Sequence, residues 1–266
     1  SERGASSYRN YDTTATRSPL SRALSYLEAG DSDDDDMRPH RDAVRVDPTK
    51  FLADYGKLRA REEFAPATCC LCSNRAARDG MLKYSSAPIP MSLLVCGPEA
   101  NAIAVEVHTN ILAFAAPRPG SVPSSRADYV LRRGLDTAGL ADEIFCQLMK
   151  HCTSNPSLES VKRGWQLWCL ATATFAPSPE LAPPLRAFLT HQAEAGLFAI
   201  HDYATYCLRV LDGVPSGVAP SRADVDAFGE RAPFVADVTL EDGAVLVKDA
   251  PVSPSTDVAA LAAVCA

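Results

Sequence analysis

Three groups of residues in this 266-residue chain have side chains and spacing that could do chemistry. The first is Cys69-Cys70-Leu71-Cys72, three thiols in four positions. Zinc sites use pairs spaced C-x2-C with a second Cys/His pair at matching distance, and no such second pair lies nearby. This stretch therefore reads as a loop with incidental thiols, and no metal or other cofactor is expected anywhere in the chain. The second group is His191 and His201 with Cys207, the one candidate Cys–His arrangement. Cys207 falls in an apolar helical pattern, and nothing marks it as an activated nucleophile. His40, His108 and His151 complete the five histidines, and none sits in an H-E-x-x-H pattern. Neither a phosphate-cradling G-x-x-x-x-G-K-[ST] loop nor a G-x-S-x-G elbow is present, so no enzyme activity is expected. The third group is basic: Lys150 and His151 before a turn, Lys162 and Arg163 after it, and Arg132-Arg133 nearby. Clustered cations of this kind could bind an acidic protein surface.

The elements that must carry these residues follow from periodicity. Apolar residues at Leu140, Ile144, Leu148 and Cys152 repeat every four positions and line one helix face. Asn155 reads as an N-cap and Pro156 as the first position of the next helix, which is apolar on nearly every side from Trp165 to Phe175. Pro177 and Pro179 stop it. Upstream, Asp47 to Phe64 reads as one helix, and Pro88-Ile89-Pro90 forces an extended segment leading to Ser92-Leu93-Leu94. A helix over residues 98–115 carries Ile103, Val107, Ile111 and Phe114 on one stripe. Ser125-Arg126-Ala127-Asp128 has the form of a capping box, with Gly134 closing its helix. Further helices are expected from Pro183 to Ala195 and from Leu197 to Leu211. Ser221-Arg222-Ala223-Asp224 repeats the capping-box pattern.

The pattern then changes to period two. Phe234, Ala236, Val238 and Leu240 alternate with Val235, Asp237 and Thr239, Asp242-Gly243 is a hairpin turn signal, and residues 244–248 return as a strand. Thr256 caps a final helix. A hairpin with one helix is too small to stand alone, so this second domain is expected to continue past residue 266.

Bulk composition agrees with helices. Apolar residues make up 47% and aromatics only 7%. The net charge of −7 argues against generic nucleic-acid binding, which needs a basic surface. Nine cysteines, several in apolar helical stretches, indicate core thiols in a reducing compartment. No run of 18 apolar residues exists to span a membrane. Residues 1–46 contain Asp31-Ser32-Asp33-Asp34-Asp35-Asp36 and little apolar surface, and read as a disordered acidic tail. Ser32, ahead of four aspartates, suits an acidophilic kinase, and Leu20 to Leu27 could form a short docking segment.

Four separated motifs occur in an order that resembles the myosin tail homology 4 domain. They are Met81-Leu82-Lys83-Tyr84 with Pro88-Ile89-Pro90-Met91-Ser92-Leu93-Leu94; the string from Leu140 through Asp142, Glu143, Ile144, Phe145 and Gln147 to Lys150; Asn155-Pro156; and Gly164-Trp165 with Pro177-Ser178. Residues 213–266 look similar to the linker and first lobe of a FERM domain. The resemblance implies a mainly α fold: a superhelical helical bundle plus an incomplete ubiquitin-like hairpin and helix. It divides the chain into a tail (1–46), an N-terminal helix and Cys-rich loop (47–79), the helical domain (80–212) and a truncated FERM lobe (213–266). It also implies a non-catalytic tail module of a cytoskeletal motor, cytoplasmic and cytoskeleton-associated, binding microtubules through a basic patch. The alternative is a cargo or partner-peptide adaptor without microtubule contact, for which an exposed Trp168 or Phe188 would be the sign. The Pro88 to Leu94 form and the linker to Ser221 look closer to calmodulin-binding kinesins than to unconventional myosins. If the basic patch serves binding, its residues are Lys150, His151, Lys162, Arg163, Arg132 and Arg133. Oligomeric state is left open.

Overall fold

The computed structural model describes residues 48–64, 79–195, 198–239 and 245–256. The acidic tail with Ser32 and the 20–27 segment, the Cys69–Cys72 stretch, the Asp242-Gly243 turn and the helix after Thr256 lie outside the described residues. Within them are eight α-helices and one two-stranded sheet: α1 (Arg61–Phe64), α2 (Pro98–Ala115), α3 (Pro123–Asp136), α4 (Leu140–Cys152), α5 (Leu158–Thr174), α6 (Ala182–Ala195), α7 (Phe198–Val210), α8 (Arg222–Glu230), β1 (Phe234–Thr239) and β2 (Val245–Val252). The mainly α architecture with a small C-terminal sheet is the one expected.

Helix α5 is central because it is apolar almost all round. Trp165, Leu167, Trp168, Cys169 and Ala171 have no exposed surface, and α2, α3, α4, α7 and α8 all pack on it. An aromatic stack runs through this centre. Trp168 lies 5.7 Å from Trp165, 5.5 Å from Phe145 and 5.9 Å from Phe188, all stacked. Offset stacks of this kind add about 0.5–1.5 kcal/mol beyond area burial. Two glycines let backbones approach closely. A Cβ at Gly134 would meet the Phe175 ring at 2.4 Å, and one at Gly164 would meet the His151 ring at 2.8 Å and Cys152 Sγ at 3.1 Å. Gly134 therefore does not end α3, which runs two residues further; it is a contact point with the end of α5.

Several local expectations change. Asp47 to Phe64 is not one helix. It is a 3-10 turn at Pro48–Lys50, a series of turns, a bridge from Leu58 to Leu94 and then α1. The reason is tertiary: Arg59 N–H donates to Leu93 O and Val95 N–H to Lys57 O, so backbone groups that a helix would use internally pair with the Leu93–Leu94 segment instead. The first capping box is absent. Pro123 opens α3, Val122 precedes it without a side-chain cap, Ser125 Oγ donates to Val122 O, and Asp128 pairs with Arg132. The second box is present: Ser221 Oγ accepts from Asp224 N–H, and the Asp224 carboxylate accepts from Ser221 N–H. Asn155 is not the cap of α5; Ser157 is, accepting from Ser160 N–H at 3.2 Å.

The hairpin pairs antiparallel, with Phe234 opposite Val252, Ala236 opposite Ala250 and Val238 opposite Val247. The register slips between Ala236 and Val238. There Asp249 adopts φ +53° and its N–H donates to Asp237 Oδ1 at 2.8 Å. Aspartate tolerates this left-handed geometry better than most residues. Arg209 at the end of α7 pairs with Asp249 at 2.6 Å, which fixes the hairpin to the bundle.

Candidate functional site

The turn between α4 and α5 was expected to present a basic patch. It does not present Lys150 or His151. Lys150 is 2% exposed and His151 1%. Lys150 Nζ donates to Gly80 O at 3.1 Å and to Lys83 O. His151 Nε2 lies 3.2 Å from both the carbonyl and the hydroxyl oxygen of Ser160, while its Nδ1 has no partner. Neither side chain reaches an acidic partner surface. The remaining four do reach solvent. Arg132 is exposed and ion-paired with Asp128 at 2.8 Å, and Arg163 pairs with Glu159 at 3.3 Å. Arg133 lies over the Tyr129 ring at 5.2 Å, and Lys162 is half-buried.

The inward turn of α4 has a structural cause. Its polar residues each hold a different part of the chain, and two of them, Glu143 and Lys150, hold the segment 80–94. Glu143 accepts from Leu93 N–H at 2.9 Å through Oε1 and from Leu94 N–H at 2.8 Å through Oε2. Gln147 Nε2 donates to Glu143 Oε1 and to Ala104 O in α2. Asp142 accepts from Tyr55 Oη and from Ser178 N–H. With Lys150, these residues form a row of side-chain staples along one helix, each closing a contact that is distant in sequence. Asn155 ties the turn: Nδ2 donates to His151 O and Ser160 Oγ, and Oδ1 accepts from Ser157 N–H.

The electrostatics are those of a closed interior. Burial pulls Lys150 down to about 8 and His151 down to about 4. Burial, together with Lys150 and His151, holds His108 at about 3, so its Nδ1 accepts from Ile89 N–H. Burial pushes the Glu143 carboxyl up, and its three donors oppose that push. Shifted groups often mark catalytic centres. Here each one is instead partnered by backbone in a packed core, and none lines the surface hollow where the ends of α5 and α7 meet the start of α6, or the one between the starts of α3 and α8. Trp168 and Phe188 have no exposed surface, so they offer no apolar docking patch. Among the described residues no group of three metal-ligating side chains comes together, and no helix is long and apolar enough to cross a membrane.

Sequence reasoning missed Tyr55, Arg59 and Asn101. Arg59 donates to Ser92 O, Ser92 Oγ and Leu94 O, and Asn101 Oδ1 accepts from Ser92 N–H. No local pattern marks them, because Tyr55 and Arg59 reach partners 87 and 33 positions away.

The motif residues that resembled a family are thus the staples themselves: Asp142, Glu143, Gln147 and Lys150, the Asn155 knot, and Gly164 against His151. Residues 127–227 match the MyTH4 domain. The relatives compared with this chain include several myosins. The chain is 38% identical over 135 residues to the high molecular weight form of myosin-1 of Acanthamoeba castellanii, covering 51% of this chain and 8% of that protein. It is 33% identical over 119 residues to myosin-VIIa of Drosophila melanogaster, covering 43% and 5%. In fold it is similar to the MyTH4-FERM MF1 domain of Dictyostelium discoideum myosin VII, with TM-score 0.58, 22% identity, and coverage of 85% of this chain and 44% of that one. It is likewise similar to the C-terminal MyTH4-FERM domain of human myosin 7b, solved in complex with the harmonin-a PDZ3 domain, with TM-score 0.57, 23% identity, and coverage of 80% and 42%. At these identities the structural likeness is one of fold. The chain spans less than a tenth of the curated relatives named here. The kinesin preference drawn from the Pro88 to Leu94 form finds no support in these proteins.

Proposed function

We propose that this chain is a non-catalytic, protein-binding tail module of an unconventional myosin, associated with the cytoskeleton, with the motor ATPase elsewhere in the protein. One observation carries the reading. The polar residues of the α4 motif are turned inward: Glu143 and Lys150 clamp the 80–94 segment, Asp142 holds Tyr55 and Ser178, and Gln147 holds α2, so their chemistry is used to make a rigid scaffold. A rigid scaffold with a hairpin pinned to its α7 end is suited to presenting a fixed outer surface to a partner, since little ordering entropy is lost on binding. The harmonin PDZ complex of the human myosin 7b domain supports a partner protein as ligand class. Crosslinking mass spectrometry of the full-length protein in cells tests this. Crosslinks from lysines within residues 80–256 to a second protein are expected; crosslinks confined to the chain itself would refute it.

A second reading, direct microtubule binding, is favoured by the four cations that do reach the surface: Arg132, Arg133, Lys162 and Arg163. Two of them are already paired with aspartate or glutamate one turn away, which weakens an exposed cation's pull on another surface. Co-sedimentation with microtubules at low salt separates the readings. A scaffold that binds only a partner protein stays in the supernatant. A microtubule-binding module pellets, and loses that pelleting when Arg132, Lys162 and Arg163 are changed together to glutamate.

A further inference from the structure

Among the described residues four cysteines are buried in the bundle, and two of them meet. Cys169 on α5 and Cys207 on α7 place their sulfur atoms 3.6 Å apart, and neither side chain has exposed surface. Cys169 Sγ also donates to Tyr203 O at 3.8 Å. Either sulfur can donate to the other, and the pair lies against the α7 backbone at Tyr203. Cys146, equally buried, has no thiol partner among the described residues. The 3.6 Å contact is not a bond, but the two sulfurs need to close only about 1.5 Å to reach disulfide length. Each sits on a helix, so a side-chain rotation and a small helix shift supply that movement.

The position matters for the rest of the fold. Helix α7 packs on α5 on one side and on both strands on the other, and Arg209, two residues after Cys207, makes the ion pair with Asp249 that holds the hairpin. A covalent link from α5 to α7 at Cys207 would fasten the helix on which the hairpin is seated.

We propose that Cys169 and Cys207 form a reversible thiol–disulfide latch, open in a reducing cell and closed by a peroxide, that locks α7 and its hairpin to the centre of the bundle. The chemistry balances with hydrogen peroxide as the two-electron oxidant. One thiol is oxidised to a sulfenic acid while the peroxide O–O bond breaks and one water leaves. The second sulfur attacks that sulfenic sulfur, the S–O bond breaks, and a second water leaves with the thiol proton. Two hydrogens are lost from the protein in total. The low solvent access keeps the pair reduced under ordinary conditions and makes closure depend on transient opening of α7.

The test uses the whole purified chain. It is exposed to graded hydrogen peroxide, free thiols are blocked under denaturing conditions, and tryptic peptides are mapped by mass. Cys169 falls in the peptide 164–186 and Cys207 in 187–209, with no other cysteine in either, so the link is read without ambiguity. The expected result is a joined pair of these peptides two hydrogens lighter than their sum, reversed by dithiothreitol. The oxidised chain should also melt several degrees higher, because the cross-link removes freedom from the unfolded chain. Cys207→Ala and, independently, Cys169→Ala should abolish both the joined peptide and the rise. Cys146→Ala, which removes a buried thiol outside the pair, should keep both. Recovery of 164–186 and 187–209 only as separate blocked or over-oxidised peptides would overturn the proposal. So would a joined pair whose formation lowers the melting temperature, since the link would then break the packing it is supposed to lock.

Discussion

Lys150→Met decides whether the α4–α5 turn is a scaffold element or a binding surface. Methionine fills nearly the same volume and removes the ammonium. Two carbonyls, Gly80 O and Lys83 O, then lose their donor. An unsatisfied buried carbonyl costs about 1–3 kcal/mol. The offset is that a buried charge no longer has to be held. Burial pulls Lys150 from 10.5 to about 8, and at about 1.4 kcal/mol per unit that penalty is about 3 kcal/mol. The two carbonyls together cost about 2–6 kcal/mol, so the balance is a loss of about 1 kcal/mol at mid-range and about 3 at most. For a domain of this size that corresponds to a fall of roughly 2–10 °C in melting temperature. The damage should be local first. Tyr84 N–H, bonded to Thr153 O at 2.8 Å, lies next to the Lys83 carbonyl, and its hydrogen exchange should quicken about tenfold for each 1.4 kcal/mol lost. Lys162→Met, on the outer side of the same turn, should move the melting temperature by less than a degree or two. Thermal unfolding by circular dichroism with exchange mass spectrometry reads both. If Lys150→Met melts with the native chain while partner or microtubule binding falls, the side chain is acting at the surface and the staple argument fails.

Two other perturbations test the same core. Gly164→Ala improves helix propensity by about 1 kcal/mol but sets a methyl 2.8 Å from the His151 ring and 3.1 Å from Cys152 Sγ; overpacking of about 1–3 kcal/mol should win, and a variant more stable than the native chain in urea would show that α4 and α5 can separate freely. Acidification should destabilise the fold through the buried histidines. Their folded values, about 4 for His151 and about 3 for His108, lie below the unfolded value of 6.5, so the unfolded chain binds more protons below pH 6.5 and stability falls as pH drops, by up to about 1.4 kcal/mol per pH unit for each histidine. The decline should persist to about pH 4 for His151, with Glu143, whose carboxyl burial pushes up, opposing it in the carboxylate range. A melting temperature that stays flat from pH 7.5 to 5 would refute the buried, neutral state of both rings.

Much of this molecule was legible in the chain. The period-four stripe of Leu140, Ile144 and Leu148 gave α4, Pro98 marked the first residue of α2, and the Ser221–Asp224 box is present with both of its hydrogen bonds. Those features are local, each set by residues within one or two turns. The alternation from Phe234 likewise marked the strand without help from its neighbours. The errors were of another kind. Asp47 to Phe64 has a helical apolar spacing, yet its backbone pairs with Leu93 and Val95. Ser125–Asp128 has the letters of a capping box, but Pro123 had already begun the helix. Gly134 and Asn155 look like terminators and are packing and knotting positions.

The candidate site shows the limit most clearly. Lys150 and His151 are polar residues at a helix end beside a turn, and by type alone they belong on the surface. Lys150 is drawn inside by the segment 80–94, whose Gly80 and Lys83 carbonyls its ammonium satisfies, and His151 by α5, where Ser160 meets its Nε2. That pairing joins residues up to 70 positions apart, and nothing in a local window records it. The sequence by itself determined the helices, the strand pattern and the family likeness, because these depend on short-range periodicity and residue order. The tertiary structure alone decided which charged residues are staples and which face solvent, because burial is set by the element that arrives from elsewhere in the chain and by the hydrogen-bonding groups it brings.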